Sequence, residues 1–413
     1  MKIKKLLFSM IIIMTLFNIG CKSNQNNYVG ADGKVEDKII ECSDPKNEET
    51  VDQLMLKINE MTLDEKIGQL VLVGMEGYEI NNNINELISS YHVGGVILYG
   101  KNVKDSNQLL TLTNSLKKVN SSNKIPLFIS VDEEGGAVSR NPNGVKKLPT
   151  ARDIGKIGDV NVAFEAGRLL GQTVKAFGYN MNFAPVLDID SNPLNPVIGN
   201  RSFGGTAEIV SVMGTSVLNG IREEGIIPVV KHFPGHGDTS VDSHIGLPDV
   251  HHDLKRIMDF EIVPFKTAID NGADMVMVAH ILMPEIDSEY PASMSHIIIT
   301  DVLRHELGFD SVVITDDITM GAIEKKYDIG TAAIKSINSG VDIILVGHNY
   351  NKAIIVINAI KAGIETGDIT LEKVDKSLYR ILKLKEKYKL KDTVIDHLNI
   401  DAINERINKL LEK

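Results

Sequence analysis

Eight short apolar runs recur along the chain, separated by longer stretches whose apolar positions repeat at helical spacing. The runs are Leu70–Met75, Val93–Tyr99, Pro126–Val131, Met181–Leu187, Ile226–Val230, Met275–Ala279, Ser311–Thr315 and Ile343–Val346. They are rich in Val and Ile and mostly apolar at successive positions, the pattern of parallel strands buried on both faces. Asn161–Phe177, Ala207–Glu224 and Ile329–Asn338 read as amphipathic helices between them. Thr62, Leu63, Asp64 and Glu65 have capping-box spacing and predict a short helix before the first run. Eight βα units over about 340 residues predict a (β/α)8 TIM-type barrel forming a single catalytic domain. A doubly wound open sheet is the competing arrangement. No glycine fingerprint follows the first run, which argues against a dinucleotide site.

Ionisable residues gather at one end of these runs. Asp132 closes the third and Asp188 the fourth; Lys231 and His232 close the fifth. His280 closes the sixth, Asp316 and Asp317 the seventh, and His348 the eighth. In a barrel all strand C-termini open on one face, where barrel enzymes keep their active sites. The pattern therefore predicts an enzyme.

The densest chemistry lies between Lys231 and His244, where fourteen residues hold one Lys, three His and two Asp. Pro234, Gly235 and Gly237 exclude a regular helix, so the stretch reads as a long loop leaving the fifth strand. Six Gly, Pro, Ser and Thr positions from Pro234 to Ser243 predict a mobile loop that closes over substrate. Glycoside hydrolysis needs two groups flanking the scissile bond. Asp316 suits the carboxylate nucleophile, and His244 suits the proton donor because imidazole titrates near neutrality. Asp242 stands two residues before His244 and is expected to orient its ring. A metal-dependent hydrolase is a second reading, with His232, His236, Asp238, Asp242 and His244 as ligands. It is disfavoured because Val71–Met75 supplies no ligand at the first strand, and no metal or cofactor is expected.

Composition narrows the partner. A net charge of −11 argues against nucleic acid. The absence of Trp and the 5% aromatic content argue against stacking platforms, and so against a two-lobed sugar-binding protein or a grip on long polysaccharides. A small pocket fixing one terminal sugar by charged hydrogen bonds fits better.

At the N-terminus Lys2, Lys4 and Lys5 precede an apolar run from Leu6 to Ile19, then Gly20 and Cys21. This has the layout of a secretory signal and resembles a bacterial lipoprotein processing site, with Cys21 as the lipidated residue. Asn18 stands where that pattern prefers Leu. The expected layout is a signal peptide over 1–20, a polar tether over 21–48, the barrel over 49–391 and a helical tail over 392–413. The tail carries Leu398, Ile403, Ile407 and Leu410 and is expected to pack on the barrel. A lipid-anchored monomer on the extracytoplasmic face follows, or a secreted one. With Cys21 lipidated, Cys42 is the only other thiol and no intrachain disulfide is available.

The segment KHFPGHGDTSVDSHIGLP resembles the signature of glycoside hydrolase family 3, in its bacterial β-N-acetylhexosaminidase branch. MTLDEKIGQL, VDEEGGAVSR, NFAPVLDIDSNPLNPVIGNRSFG, VVITDDITMGAI and RILKLKEKYKL extend the likeness from roughly Met61 to Leu390. The resemblance implies a retaining exo-hydrolase that removes terminal N-acetylglucosamine from cell-wall glycans. It implies Asp316 as nucleophile, His244 as acid/base and Asp242 as its partner. It also implies a sugar clamp of Asp132, Arg140, Arg201, Lys231 and His232. Asp317 takes no implied role; Asp188, His280 and His348 read as hydrogen-bonding support, and His236 and Asp238 as shaping the loop through backbone contacts. Substrate-assisted catalysis wants a DxxDxDxE-type pattern, and Asp188 and Asp190 are followed by Ser191 and Asn192 instead. A neutral His does not repel an anion, so phosphorolysis stays open beside hydrolysis, as does β-glucosidase activity.

Overall fold

The computed structural model describes residues 52–412. The expected signal peptide, its Cys21 and the tether lie outside these residues. Eight parallel strands form the centre: β1 Val71–Gly74, β2 Gly95–Leu98, β3 Phe128–Val131, β4 Met181–Asn182, β5 Ile227–Phe233, β6 Met275–Val278, β7 Val312–Thr315 and β8 Ile344–Val346. The hydrogen-bonded order is β7-β6-β5-β4-β3-β2-β1-β8. A parallel bridge between Ile314 and Ile343 brings β7 to β8, so the sheet closes on itself as a (β/α)8 barrel. Apart from Gly74, every strand residue is buried. The barrel interior fills one side of each strand and the helices cover the other, so both faces must be apolar. Each fully buried Val, Leu or Ile contributes about 1.5–3 kcal/mol.

Every expected run holds a strand, but two differ in extent. The fourth run stops pairing regularly after Asn182 and resumes only as a bridge between Val186 and Lys231. Pro185 has no N–H to give to a ladder. The fifth strand runs on through Lys231 and His232 to Phe233, and its register against β6 shifts between Val230 and Phe233. The long segment is therefore not loop from its start: Lys231 and His232 sit on the strand itself.

The helix Leu63–Gln69 has the expected capping box. The Glu65 amide donates to Thr62 Oγ1 at 3.2 Å and the Thr62 amide to Glu65 Oε2 at 2.7 Å. The helix Ile400–Leu411 buries Ile403, Ile407 and Leu410 and packs on the helix Val160–Ala176. At the opposite end of the barrel from the site, Lys385 reaches from the helix Leu371–Lys387 to Gln69 Oε1 (2.8 Å), Gly94 O (3.1 Å) and Pro126 O (2.8 Å). Burial pulls its amine down to about 7. No described helix is long and apolar enough to cross a membrane.

The helices Val160–Ala176 and Ala207–Glu223, on either side of β4, meet backbone to backbone. A Cβ at Gly167 would lie 2.2 Å from Val217 O, and one at Gly220 would lie 2.1 Å from Phe164 O. Gly167→Ala gains about 1 kcal/mol of helix propensity, but overpacking at a backbone contact costs about 1–3 kcal/mol. The variant should therefore be less stable than the parent, seen as a lower urea midpoint at unchanged m-value.

Candidate active site

A buried lysine and a partly buried arginine define the floor of the barrel mouth. Lys231 is 2% exposed, and a charge that deep requires counter-charges. It finds Asp132 Oδ1 at 2.6 Å and Glu134 Oε1 at 2.7 Å, both supplied by the turn after β3. Arg201, from the segment after β4, closes the set with a bidentate pair to Glu134: Nε to Oε2 and Nη2 to Oε1, each 2.8 Å. Two anions and two cations balance. Burial opposes every one of the shifts in this set, and the opposite charges win. Lys231 and Arg201 hold the Glu134 carboxyl far below the carboxylate range. Asp132 and Glu134 raise Lys231, and Glu134 raises Arg201.

Glu134 was not among the residues singled out from the sequence. It lies two positions after Asp132 where the chain leaves β3, and that spacing was the available signal. Arg140 is the exception among the cations. Its guanidinium reaches only Ser139 O at 3.5 Å and pairs with no carboxylate among the described residues. Its backbone N–H donates to Glu133 Oε2 at 2.7 Å, and burial raises that Glu133 carboxyl to about 7.

His232 is fixed from below by Asp188, which is fully buried. Asp188 Oδ2 meets His232 Nδ1 at 2.6 Å, and Oδ1 accepts the amides of His232 (3.2 Å) and His236 (2.7 Å). Burial opposes the Asp188 charge; the His232 ring and the amide donors outweigh it and hold the carboxyl below its ordinary value. A guanidinium can only donate. Nε2 of His232 therefore faces Arg201 Nη2 as an acceptor, at 3.4 Å. Asp188 thus orients a clamp residue directly.

Asp316 leaves β7 with its amide donated to Val278 O at 2.9 Å. Burial disfavours its charge, yet the His280 and His232 rings, the Asp317 amide and Lys231 together hold it below the usual range. It stands as a carboxylate. Behind it His280 is buried, and burial lowers its pKa. Its Nε2 donates to Asp317 O at 3.0 Å, and Nδ1 meets Ser293 Oγ at 2.7 Å. Asp317 accepts from Thr319 and from the Gly347 amide, and meets His348 Nδ1 at 2.9 Å. His348 in turn stacks on Tyr99, ring centroids 4.9 Å apart. The neighbour of Asp316 is therefore a brace between β7 and β8.

On the segment after β5, Asp242 Oδ1 meets both the amide and Nδ1 of His244, each at 2.8 Å. This fixes Nδ1 as the donor and leaves Nε2 free. The His244 side chain is 68% exposed. His236 is different: burial drives it down to about 4, and its ring is enclosed by Thr239 and Ser243. Asp238 holds His252 Nε2 at 2.7 Å. His236 and Asp238 thus shape the segment through side chains as well as backbone, because each ring or carboxylate finds its partner on a neighbouring turn.

Asp132, Arg140, Arg201, Lys231, His232, His244 and Asp316 line one cavity of about 570 Å³, with Asp242 standing beside His244. Of the five residues considered as metal ligands, Asp242 and His244 pair with each other, while His232, His236 and Asp238 each turn to a partner outside the set. Among the described residues no group of three or more His, Cys, Asp or Glu is arranged to hold a metal ion. The cavity offers a carboxylate at its floor, a carboxylate-oriented imidazole on its wall and charged hydrogen-bonding groups between them. That is the equipment of a glycosidase acting on a small sugar unit.

The chain belongs to glycosyl hydrolase family 3: the family's N-terminal domain matches residues 62–384. β-Hexosaminidase A of Pseudoalteromonas piscicida is 37% identical over 329 residues, 74% of this chain and 55% of that protein. The chain thus spans just over half the length of that relative. A β-hexosaminidase of Methylobacillus flagellatus is 34% identical over 68% of this chain and 81% of its own. A solved family 3 β-N-acetylglucosaminidase from Paenibacillus sp. strain FPU-7 superposes with a TM-score of 0.81 at 41% identity, covering 85% of this chain and 68% of that one. The relatives put the chain in the β-hexosaminidase branch of the family.

Glu134 and Asp188 both titrate below their unfolded values of about 4. Each contributes stability that is complete above that pH and is lost as pH falls through the lower folded value. The melting temperature should therefore fall steeply as pH drops from about 5 towards 2. Glu134→Gln should cost about 3 kcal/mol at neutral pH, because it leaves the buried Lys231 and the partly buried Arg201 under-paired, and should flatten the acid limb. Melting curves across pH for the two proteins check both expectations.

Proposed function

We propose that this chain is a retaining exo-β-N-acetylglucosaminidase. The observation that carries the reading is the shared cavity: the ionised carboxylate of Asp316 and the Asp242-oriented ring of His244 face one space beside the charged clamp. Asp132, Arg140, Arg201, Lys231 and His232 bind the terminal sugar and hold its anomeric carbon over Asp316. Lys231 spends two of its three N–H donors on Asp132 and Glu134, which leaves one for a hydroxyl. His244 Nε2 protonates the departing oxygen while Asp316 attacks, and a glycosyl-enzyme ester forms through an oxocarbenium-like state. Asp242 stabilises the imidazolium that gives up this proton; His244 is neutral in the glycosyl-enzyme and becomes an imidazolium again as it takes a proton from the attacking water. The sugar leaves with its β configuration kept.

The 2-acetamido group does not need to act as nucleophile in this scheme. Asp188 is committed to His232, and Asp190 pairs with Arg152 away from the cavity lining, so neither of these two carboxylates is offered to the acetamido group. The cavity volume suits release of one terminal unit at a time. The names of the relatives support N-acetylglucosaminides as substrates. Cell-wall fragments as the natural source, and lipid anchoring through Cys21 on the extracytoplasmic face, are the parts of the proposal that rest on the N-terminal sequence.

Aryl β-N-acetylglucosaminides of graded leaving-group acidity test the assignment. Asp316→Ala should abolish turnover. His244→Ala should lose about 10²–10⁴-fold on poor leaving groups and far less on dinitrophenyl, which needs no protonation. Equal loss on every leaving group would remove His244 as the acid. In the same assays, a sugar 1-phosphate appearing in phosphate buffer would replace hydrolysis by phosphorolysis.

A further inference from the structure

The stretch that follows Asp316 also grips the segment that carries His244. The Ala322 amide donates to Ser243 O at 3.0 Å, and Lys325 Nζ donates to Ile245 O at 2.6 Å. These two carbonyls flank His244 on either side. Gly321 lies directly beneath: a Cβ there would come 2.6 Å from His244 O and 3.2 Å from Ile245 O. The Ser243 side chain turns the other way, towards His236 Nε2 at 3.3 Å, and His236 is itself fastened to Asp188 through its amide. His244 cannot be held by its own packing, since most of its ring is exposed. Its place is set by the backbone on both sides of it.

The gripping stretch is rigidly joined to Asp316. The Asp316 amide bonds to Val278 O, the Ile318 amide to Leu345 O at 3.0 Å, the Met320 amide to Asp317 O at 3.0 Å and the Ile323 amide to Met320 O at 3.0 Å. Asp316 and the docking point at Ala322 are six residues apart on one short, hydrogen-bonded path. Among the described residues no carboxylate pairs with Lys325, so its ammonium is spent on the Ile245 carbonyl.

We propose that Gly321 and Lys325 are positioning residues: with the Ala322 amide they latch the His244 segment onto the exit of β7 and so set the separation between the acid/base and the carboxylate it works with. This rests on the reading of His244 as the acid. Small displacements of a reacting group cost large factors in rate, whereas binding of the sugar, which falls to the clamp on β3 to β5, does not depend on the latch.

The test compares wild type, Lys325→Met, Lys325→Arg, Gly321→Ala and His244→Ala on aryl β-N-acetylglucosaminides of graded leaving-group acidity. Competitive inhibition by N-acetylglucosamine is measured alongside. Lys325→Met and Gly321→Ala should lose about tenfold in kcat/KM on the phenyl glycoside and less than about twofold on the dinitrophenyl glycoside. For Lys325→Met the inhibition constant should stay at the wild-type value, since Lys325 does not line the cavity, and Lys325→Arg should recover most of the loss. Equal loss on both substrates, or no loss on either, overturns the latch. Lys325 is exposed, so Lys325→Met keeps the test decisive even if Gly321→Ala folds poorly. If His244→Ala itself shows no dependence on the leaving group, the acid assignment fails; if it does and the latch variants do not, only the latch fails.

Discussion

The site is organised around one buried ammonium. Lys231 is nearly inaccessible at the end of a strand whose other residues are all apolar or packed. Stripping such a charge of water costs several kcal/mol unless anions stand beside it. Asp132 and Glu134 do so, and Arg201 then neutralises the second of them. To make these contacts, the exits of β3, β4 and β5 must converge, so the electrostatic requirement doubles as a positional one. The arrangement supplies a rigid, charge-balanced floor on which a polar ligand can exchange its hydration for fixed donors and acceptors.

Around that floor one device recurs with different burial. Three histidines that line the cavity each rest a ring nitrogen on an aspartate: His232 on Asp188, His244 on Asp242 and His348 on Asp317. In the buried pair the carboxylate orients the ring so that its second nitrogen faces Arg201. In the exposed pair the second nitrogen is left open to the cavity, which is what proton transfer requires. In the third, the aspartate is saturated by Thr319 and Gly347 and acts as a brace between two strands. The chemistry available to a His–Asp pair is thus decided by what surrounds it rather than by the pair.

The strand pattern was legible because a barrel strand is apolar on both faces, and all eight runs hold a strand. The clustering of ionisable residues at the run ends was legible for the same reason: only there does the chain leave the core. Two errors have clear causes. Pro185 interrupts the ladder of β4, and the polar Lys231 and His232 masked the continuation of β5, since paired burial of charged residues cannot be seen in one segment alone. Glu134 and the bracing role of Asp317 escaped because each is defined by a distant partner, 67 and 31 positions away.

What the linear order of residues settles here is local: which stretches are strands, which ends carry charge, and the short-range union of Asp242 with His244. Closure of the barrel decides the rest. It brings β7 beside β8 and turns the exits of β3, β4, β5 and β7 onto one mouth, and so makes neighbours of Asp132, Arg201, Lys231 and Asp316, which are spread over 185 positions of chain. Burial then selects protonation states, because removing water makes each charge depend on its nearest opposite charge rather than on solvent.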